Sequence, residues 1–156
     1  MTAATISDRL AAAGVTLPEA AAPAANYVPF VLFGNSLQTS GQLPLDEGKL
    51  AVTGKLGSGV SLEDGQKAAR FCAINILAQA KAALGGDLER IRRLLKITVF
   101  VASDPGFTDQ HKVANGASDF LVEILGDAGR HARSAVGVPC LPLGAAVEIE
   151  ALFEIA

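Results

Sequence analysis

The fold is decided by the stretch AAVEIEALFEI, residues 145–155. Glu148, Glu150 and Glu154 alternate there with apolar residues, and a period of two predicts a β-strand. One face of this strand is mostly acidic, and the other carries only apolar side chains, namely Val147, Ile149, Ala151, Phe153 and Ile155. We expect the apolar face to pack against the core and the acidic face to meet solvent.

A second alternating run precedes this strand, from His131 to Val138, and the Pro-rich turn 139–144 separates the two. On that run, Arg133, Ala135 and Gly137 point to one side. The small neighbours leave room around the guanidinium, whose fork of donors suits a carboxylate. The commoner role of such an arginine is an ion pair, here with a C-terminal glutamate, and the pattern alone favours that role.

The other elements follow from periodicity and turn residues. Helical spacing predicts three helices, a short one that stops at Gly14 and two long ones at residues 61–85 and 113–126. Alternation predicts strands at residues 27–33, 36–40 and 95–101, with a weaker candidate at 49–55. The two long helices must cover one face of the sheet, so the predicted fold class is α+β, a mixed sheet with two long helices on one face.

Length and charge restrict the class of protein. The 156 residues fit one core, which we divide into an N-terminal helix and arm, residues 1–25, and a main domain, residues 26–156. A net charge of -3 disfavours a nucleic-acid partner. Asp8 and Arg9 are unlike a secretory signal, and no segment approaches the roughly 20 apolar residues of a membrane span. We therefore expect a cytoplasmic protein with no membrane partner.

The thiols and imidazoles match no metal or cofactor site. Cys72 and Cys140 lie far apart in the sequence, and His111 and His131 have no ligand partner at short spacing, so no metal is predicted. Both cysteines are interpreted as reduced, buried thiols, and a catalytic Cys140 paired with His131 or His111 is the weaker alternative. Glycines at residues 54, 57 and 59 match neither a phosphate-binding loop nor a dinucleotide fingerprint, and no cofactor is predicted.

Three further residues are candidates for chemistry. Glu148 could handle protons if a pocket shifts its pKa, but the pattern alone does not distinguish it from Glu150 or Glu154. Tyr27 offers a hydroxyl on an apolar ring, although such a tyrosine more often serves packing. Asn115, on the second long helix, could bind a ligand or cap a loop.

Several short motifs, taken in order, resemble the Rid (reactive intermediate deaminase) or YjgF family. They are Ser40-Gly41-Gln42-Leu43-Pro44, Lys96-Ile97-Thr98-Val99-Phe100, Ala132-Arg133-Ser134, and Leu141-Pro142 leading to Val147-Glu148-Ile149-Glu150. Each motif is weak alone, but the match runs from about Tyr27 to Ile155 in the order and spacing of the family. The chain itself resembles a longer branch of that family.

The resemblance implies a chorismate-mutase-like fold, a homotrimer, and ligand pockets between subunits. It also implies cofactor-independent hydrolysis of small enamine or imine intermediates, such as 2-aminoacrylate, to 2-keto acids and ammonia. Arg133 would bind the substrate carboxylate and Glu148 would activate water. Tyr27, Asn115 and Ala135 would line the pocket, with Ala135 in the place where archetypal members often have cysteine.

Two other functions are considered. The same pocket could bind or sense 2-keto acids without turning them over, which binding without deaminase activity would reveal. The endoribonuclease label carried by many relatives suggests RNA cleavage, but the acidic charge and the lack of a basic, aromatic-lined stripe disfavour it.

Overall fold

The computed structural model describes residues 2–156 of the chain. Three α-helices form, α1 at Ile6–Ala12, α2 at Leu62–Ala83 and α3 at Gln110–Leu125. The strands are β1 (Phe30–Phe33), β2 (Ser36–Thr39), β3 (Leu45–Asp46), β4 (Lys49–Leu50), β5 (Lys55–Leu56), β6 (Gly59–Val60), β7 (Ile91–Ala102), β8 (Ala132–Val138) and β9 (Val147–Ile155). Short 3-10 turns lie at Leu88–Arg90, Gly126–Gly129 and Pro142–Gly144.

The main sheet has five strands in the order β1-β2-β9-β7-β8. Strands β7 and β8 run parallel, whereas the other neighbours run antiparallel. The predicted mixed sheet is therefore confirmed. The α3 helix forms the crossover between the two parallel strands, as parallel pairing requires.

The predicted boundaries need correction at the N-terminal strands. The first strand begins at Phe30 rather than at Tyr27, because Pro29 lacks the N–H that a longer ladder would use. The candidate at 49–55 splits into β4 and β5, since Gly54 between them has φ of 107°. Both pieces pair outside the main sheet.

The two long helices cover one face of the sheet, as predicted. The α2 helix packs on β9 and β2, and α3 packs on β7 and β8. The apolar side chains of β9, named above, are buried beneath them. We call this covered side the helix face and the opposite side, which carries Glu148, Glu150 and Glu154, the open face.

The two long helices approach each other closely at Gly116. A Cβ at this position would overlap the backbone carbonyl oxygen of Gln66 on α2. The Gln66 side chain also donates a hydrogen bond of 2.9 Å to the carbonyl oxygen of Lys112. These contacts fix α3 against α2 and so fix the part of α3 that faces β8.

The N-terminal segment packs onto the same core. Ile6 and Leu10 of α1 are buried in it, and the Ile6 N–H donates to Glu89 Oε1 at 2.6 Å. Farther along the arm, Gln79 Nε2 donates to the carbonyl oxygen of Ala21 at 2.8 Å. The division at residue 25 stays a prediction. Within residues 2–156, no helix has the length and apolar character needed to cross a membrane.

Candidate functional site

Arg133 lies on the helix face of the sheet, near its edge. It pairs with Ile97 in the register of β7 and β8, and paired residues point to the same side. Ile97 is buried beneath the helices. Because β8 is an edge strand, the long side chain of Arg133 can extend from the helix face to the exposed surface of α3.

Three hydrogen bonds hold the Arg133 guanidinium on α3. Nη1 donates to Asn115 Oδ1 at 2.9 Å and to Ser118 Oγ at 3.1 Å, and Nη2 donates to the carbonyl oxygen of His111 at 2.9 Å. A guanidinium has five N–H donors, so two donors remain for a ligand, the number that a carboxylate accepts in a bidentate pair.

The expected ion pair of Arg133 with a C-terminal glutamate is wrong. Those glutamates lie on the open face, because Glu148 pairs with Phe100 and Glu150 pairs with Thr98. Within residues 2–156, no salt bridge to Arg133 is formed. The arginine is instead held by neutral groups of α3, which leaves its charge available for an anion.

The α3 helix supplies three partners from one of its faces. His111, Asn115 and Ser118 are spaced by four and three residues, which brings them to the same side of a helix. Asn115 therefore contacts Arg133 directly. Ala135 lies two residues farther along β8 on the same side, half-buried against the core. The structure thus brings together three of the predicted site residues, Arg133, Asn115 and Ala135.

Ser118 connects Arg133 to His131. Ser118 Oγ lies 2.9 Å from His131 Nε2, and His131 Nδ1 lies 2.6 Å from the carbonyl oxygen of Gly129. Burial of the ring and the charge of Arg133 lower the pKa of His131 below its usual value, more than the hydrogen bond to Gly129 raises it. This environment favours the neutral ring over the imidazolium.

The proximity of Arg133 to His131 predicts a change in the pKa of His131 that can be measured without substrate. Arg133→Met removes the positive charge that disfavours the imidazolium, so the pKa of His131 is expected to rise toward the ordinary value. NMR titration of the ring protons would measure it. Arg130→Met removes a nearby charge that is paired with Asp127, and it serves as the matched control. An unchanged His131 pKa in Arg133→Met would contradict the effect of the Arg133 charge on the ring.

Glu148 lies on the open face of β9, close to β2. A Cβ at Gly41 would overlap the Glu148 carboxylate, so a larger residue here would displace that carboxylate from its present position. Burial raises the pKa of Glu148, and the neighbouring charge of Glu150 adds to the rise. The structure therefore separates Glu148 from the other acids of this strand by environment, which the sequence pattern alone did not.

Tyr27 lies on the arm ahead of β1 rather than in the strand. Its hydroxyl oxygen accepts a hydrogen bond of 3.2 Å from the Ala24 N–H. The ring lines a cavity of about 250 Å³ together with Gly41 and Leu143. Tyr27 and Glu148 thus both lie near Gly41, just after the end of β2.

One chain does not bring the two groups of residues together. Arg133 and Glu148 are on opposite faces of the sheet, since Ile97 and Phe100, their partners on β7, are three positions apart. Strand β7 lies between β8 and β9, so the two residues are two strand spacings apart across the sheet and three residues apart along it. Together these shifts separate their backbones by roughly 14 Å. The first group is Arg133, Asn115 and Ala135, and the second is Glu148, Gly41 and Tyr27.

The family described as "YjgF/chorismate mutase-like, putative endoribonuclease" matches residues 7–155. The chain belongs to this family. The YjgF-like match includes α1 from its second residue, the arm, and all five strands of the main sheet.

Known relatives extend the similarity over most of this YjgF-like chain. Protein TCP17 of Trypanosoma cruzi is 52% identical over 143 residues, which cover 91% of this chain and 89% of TCP17. The crystal structure of the protein Atu1372 from Agrobacterium tumefaciens is 55% identical, with a TM-score of 0.91, and the match covers 97% of this chain and 92% of that one. TdcF of E. coli, crystallised with bound serine, is 27% identical, with a TM-score of 0.64 and coverage of 88% and 94%.

The thiols of this YjgF-like chain differ from each other. Cys72 is buried, as predicted, but Cys140 is exposed, so its predicted burial is wrong. Cys140 sits in the Pro-rich turn between β8 and β9, outside the core. The nitrogens of His131 already bond Ser118 and Gly129, which argues against a Cys140–His131 pair. In the described part of the chain, no cluster of three or more His, Cys, Asp or Glu residues could hold a metal ion.

Sequence reasoning missed two residues beside Arg133. Ser118 is three residues after Asn115, and this helical spacing is a signal that could have found it. His131 was considered only as a metal ligand or as a partner of Cys140. Its position depends on the 3-10 turn Gly126–Gly129, which carries no periodic pattern that would have predicted the contact.

Proposed function

We propose that the protein hydrolyses small enamine or imine intermediates that bear a carboxylate, such as 2-aminoacrylate, to 2-keto acids and ammonia. The observation that carries this proposal is the state of Arg133. Its guanidinium is held on α3 by three hydrogen bonds to neutral groups and retains two donors. That arrangement suits a single carboxylate better than a structural ion pair.

In the proposed reaction, Arg133 holds the substrate carboxylate and Glu148 accepts a proton from water. An enamine such as 2-aminoacrylate first tautomerises to its imine. The water oxygen then bonds to the imine carbon, Glu148 passes the proton that it accepted to the nitrogen, the second water proton follows, and the C–N bond breaks to release ammonia and the 2-keto acid. A carboxylate whose pKa is raised is a stronger base than an ordinary glutamate, and Glu148 has such a pKa. None of these steps requires a cofactor.

Completing this site requires a second copy of the chain, because Arg133 and Glu148 of one copy lie on opposite faces of the sheet. We infer a homotrimer in which the first group of one subunit faces the second group of its neighbour. Exposed apolar side chains support subunit contact on the open face. Val31, Phe33 and Val136 are 49%, 61% and 45% exposed there, more than an isolated small domain favours.

The test is keto-acid release in the presence of a dehydratase that generates 2-aminoacrylate in situ. The purified protein is expected to accelerate release, and Arg133→Ala is expected to lose this acceleration because the carboxylate is no longer held. Arg130→Ala, which removes an exposed arginine paired with Asp127 at 3.6 Å, is the matched control and should behave as wild type. Unchanged release with the wild-type protein, or full activity of Arg133→Ala, would contradict the proposal.

A binding module is the alternative outcome of the same experiments. The serine bound by TdcF is a small molecule with a carboxylate, which supports that ligand class for the Arg133 site. Calorimetry with pyruvate separates the two functions. Binding that Arg133→Ala abolishes, without any effect on keto-acid release, would favour the module over the enzyme.

A further inference from the structure

We propose that Ser118 and His131 are positioning residues that fix Arg133 for carboxylate binding. The inference rests on the proposed function for its ligand, because it takes Arg133 to be the carboxylate-binding residue. It goes further by assigning the two side chains behind Arg133 a defined role. Neither of them touches the substrate in this arrangement.

When the His131 ring is neutral, chemistry sets the direction of every hydrogen bond in this chain of contacts. Arginine can only donate, so Ser118 Oγ accepts from Arg133 Nη1 at 3.1 Å. A carbonyl oxygen can only accept, so His131 Nδ1 carries the proton that it donates to Gly129 at 2.6 Å. The neutral ring then leaves Nε2 as an acceptor, and the Ser118 hydroxyl donates to it at 2.9 Å.

The neutral, Nδ1–H form of His131 satisfies all three contacts and also gives the Ser118 hydroxyl proton an acceptor. In the imidazolium, Nε2 would donate as well, so two donors would converge on Ser118 Oγ and the hydroxyl proton would lose its acceptor. Burial of the ring and the nearby charge of Arg133 favour this neutral form. Arg133 and Arg130 both line the small cavity beside the ring, and Asp127 is paired with Arg130.

Ser118 is the inner of the three anchors of Arg133. The bonds to Asn115 and to the His111 carbonyl oxygen lie in exposed surroundings, where water competes for the same donors. The bond to Ser118 is partly buried, and its acceptor is held in turn by His131. Without it, the guanidinium keeps only contacts that water can replace, and its orientation is no longer fixed.

The test compares Ser118→Ala, Ser118→Thr and His131→Ala. A net hydrogen bond of about 1 kcal/mol corresponds to an affinity change of roughly 2–10-fold. We expect Ser118→Ala to weaken pyruvate binding by this factor in calorimetry and to raise KM for imine hydrolysis equally, with kcat nearly unchanged. His131→Ala should give the same type of loss, and Ser118→Thr, which keeps the hydroxyl, should restore wild-type values. Arg130→Gln is the matched control, since it lines the same cavity but bonds neither side chain.

A second measurement uses no ligand, so it tests the positioning role even if the proposed function is wrong. NMR of the His131 ring nitrogens in the wild type should show the Nδ1–H tautomer at pH 7.5. Hydrogen exchange of the Arg133 side-chain N–H groups should accelerate in Ser118→Ala and not in Ser118→Thr. An Nε2–H tautomer, or unchanged exchange in Ser118→Ala, would overturn the positioning role. If the wild type neither binds pyruvate nor releases keto acid, the proposed function fails while this measurement still decides the positioning role.

Discussion

Glu148→Gln is expected to lower kcat for imine hydrolysis by about 10²–10⁴-fold, the usual contribution of a general base. Pyruvate affinity should stay within a few-fold of wild type, because Arg133 still holds the carboxylate. Glu154→Gln is the matched control, since it removes an exposed carboxylate from the same face of the same strand. Equal losses in both variants, or a Glu148→Gln enzyme with normal kcat, would remove Glu148 from the reaction.

The same variant should change the pH dependence of stability. Burial raises the pKa of Glu148 in the folded chain, so the folded state retains this proton at a pH where the unfolded state has released it. Stability therefore falls as pH rises from the unfolded pKa through the raised folded pKa, and the cost is complete above it. Glu148→Gln removes this cost, so its melting temperature should exceed that of wild type at pH 7.5 and approach it at pH 4.

Mixing two inactive variants is expected to restore activity. When Arg133→Ala and Glu148→Gln are unfolded together and refolded in equal amounts, random trimers contain about one site in four that joins an intact Arg133 to an intact Glu148. Activity should therefore rise from near zero to roughly a quarter of the wild-type value. The same treatment of either variant alone is the control.

The restored fraction discriminates between arrangements of the site. If Arg133 and Glu148 of the same copy formed one site, every mixed trimer would still lack one of them at each site, and no activity would return. Sedimentation or light scattering of the refolded material checks that the trimer has formed. A monomeric protein with full activity would contradict the shared site directly.

Much of the fold could be predicted because its signals are local. The alternation from Val147 to Ile155 reports burial on one face, and the helices α2 and α3 carry buried stripes at helical spacing. The boundaries near Tyr27 and Gly54 could not be predicted in the same way. There, a proline and a glycine with positive φ override residues that favour strands.

The site was only partly predictable from the residues. Alternation along β8 places Arg133, Ala135 and Gly137 on one side, but it does not say which side of the sheet that is. The answer depends on the pairing of Arg133 with Ile97 and of Glu148 with Phe100, which is a tertiary property. The contact between Ser118 and His131 likewise depends on how the turn after α3 returns the chain to the sheet.

The anchoring of Arg133 also affects the entropy of ligand binding. A free arginine side chain loses about 2 kcal/mol of rotamer entropy when it is ordered. Here the contacts with α3 impose that order during folding, before any ligand arrives. A small carboxylate bound there, as we propose, would meet a guanidinium that is already ordered, so less of the free energy of its few polar contacts would be lost to ordering the side chain. For a ligand with so few atoms, the affinity measured by calorimetry would depend strongly on this preorganisation.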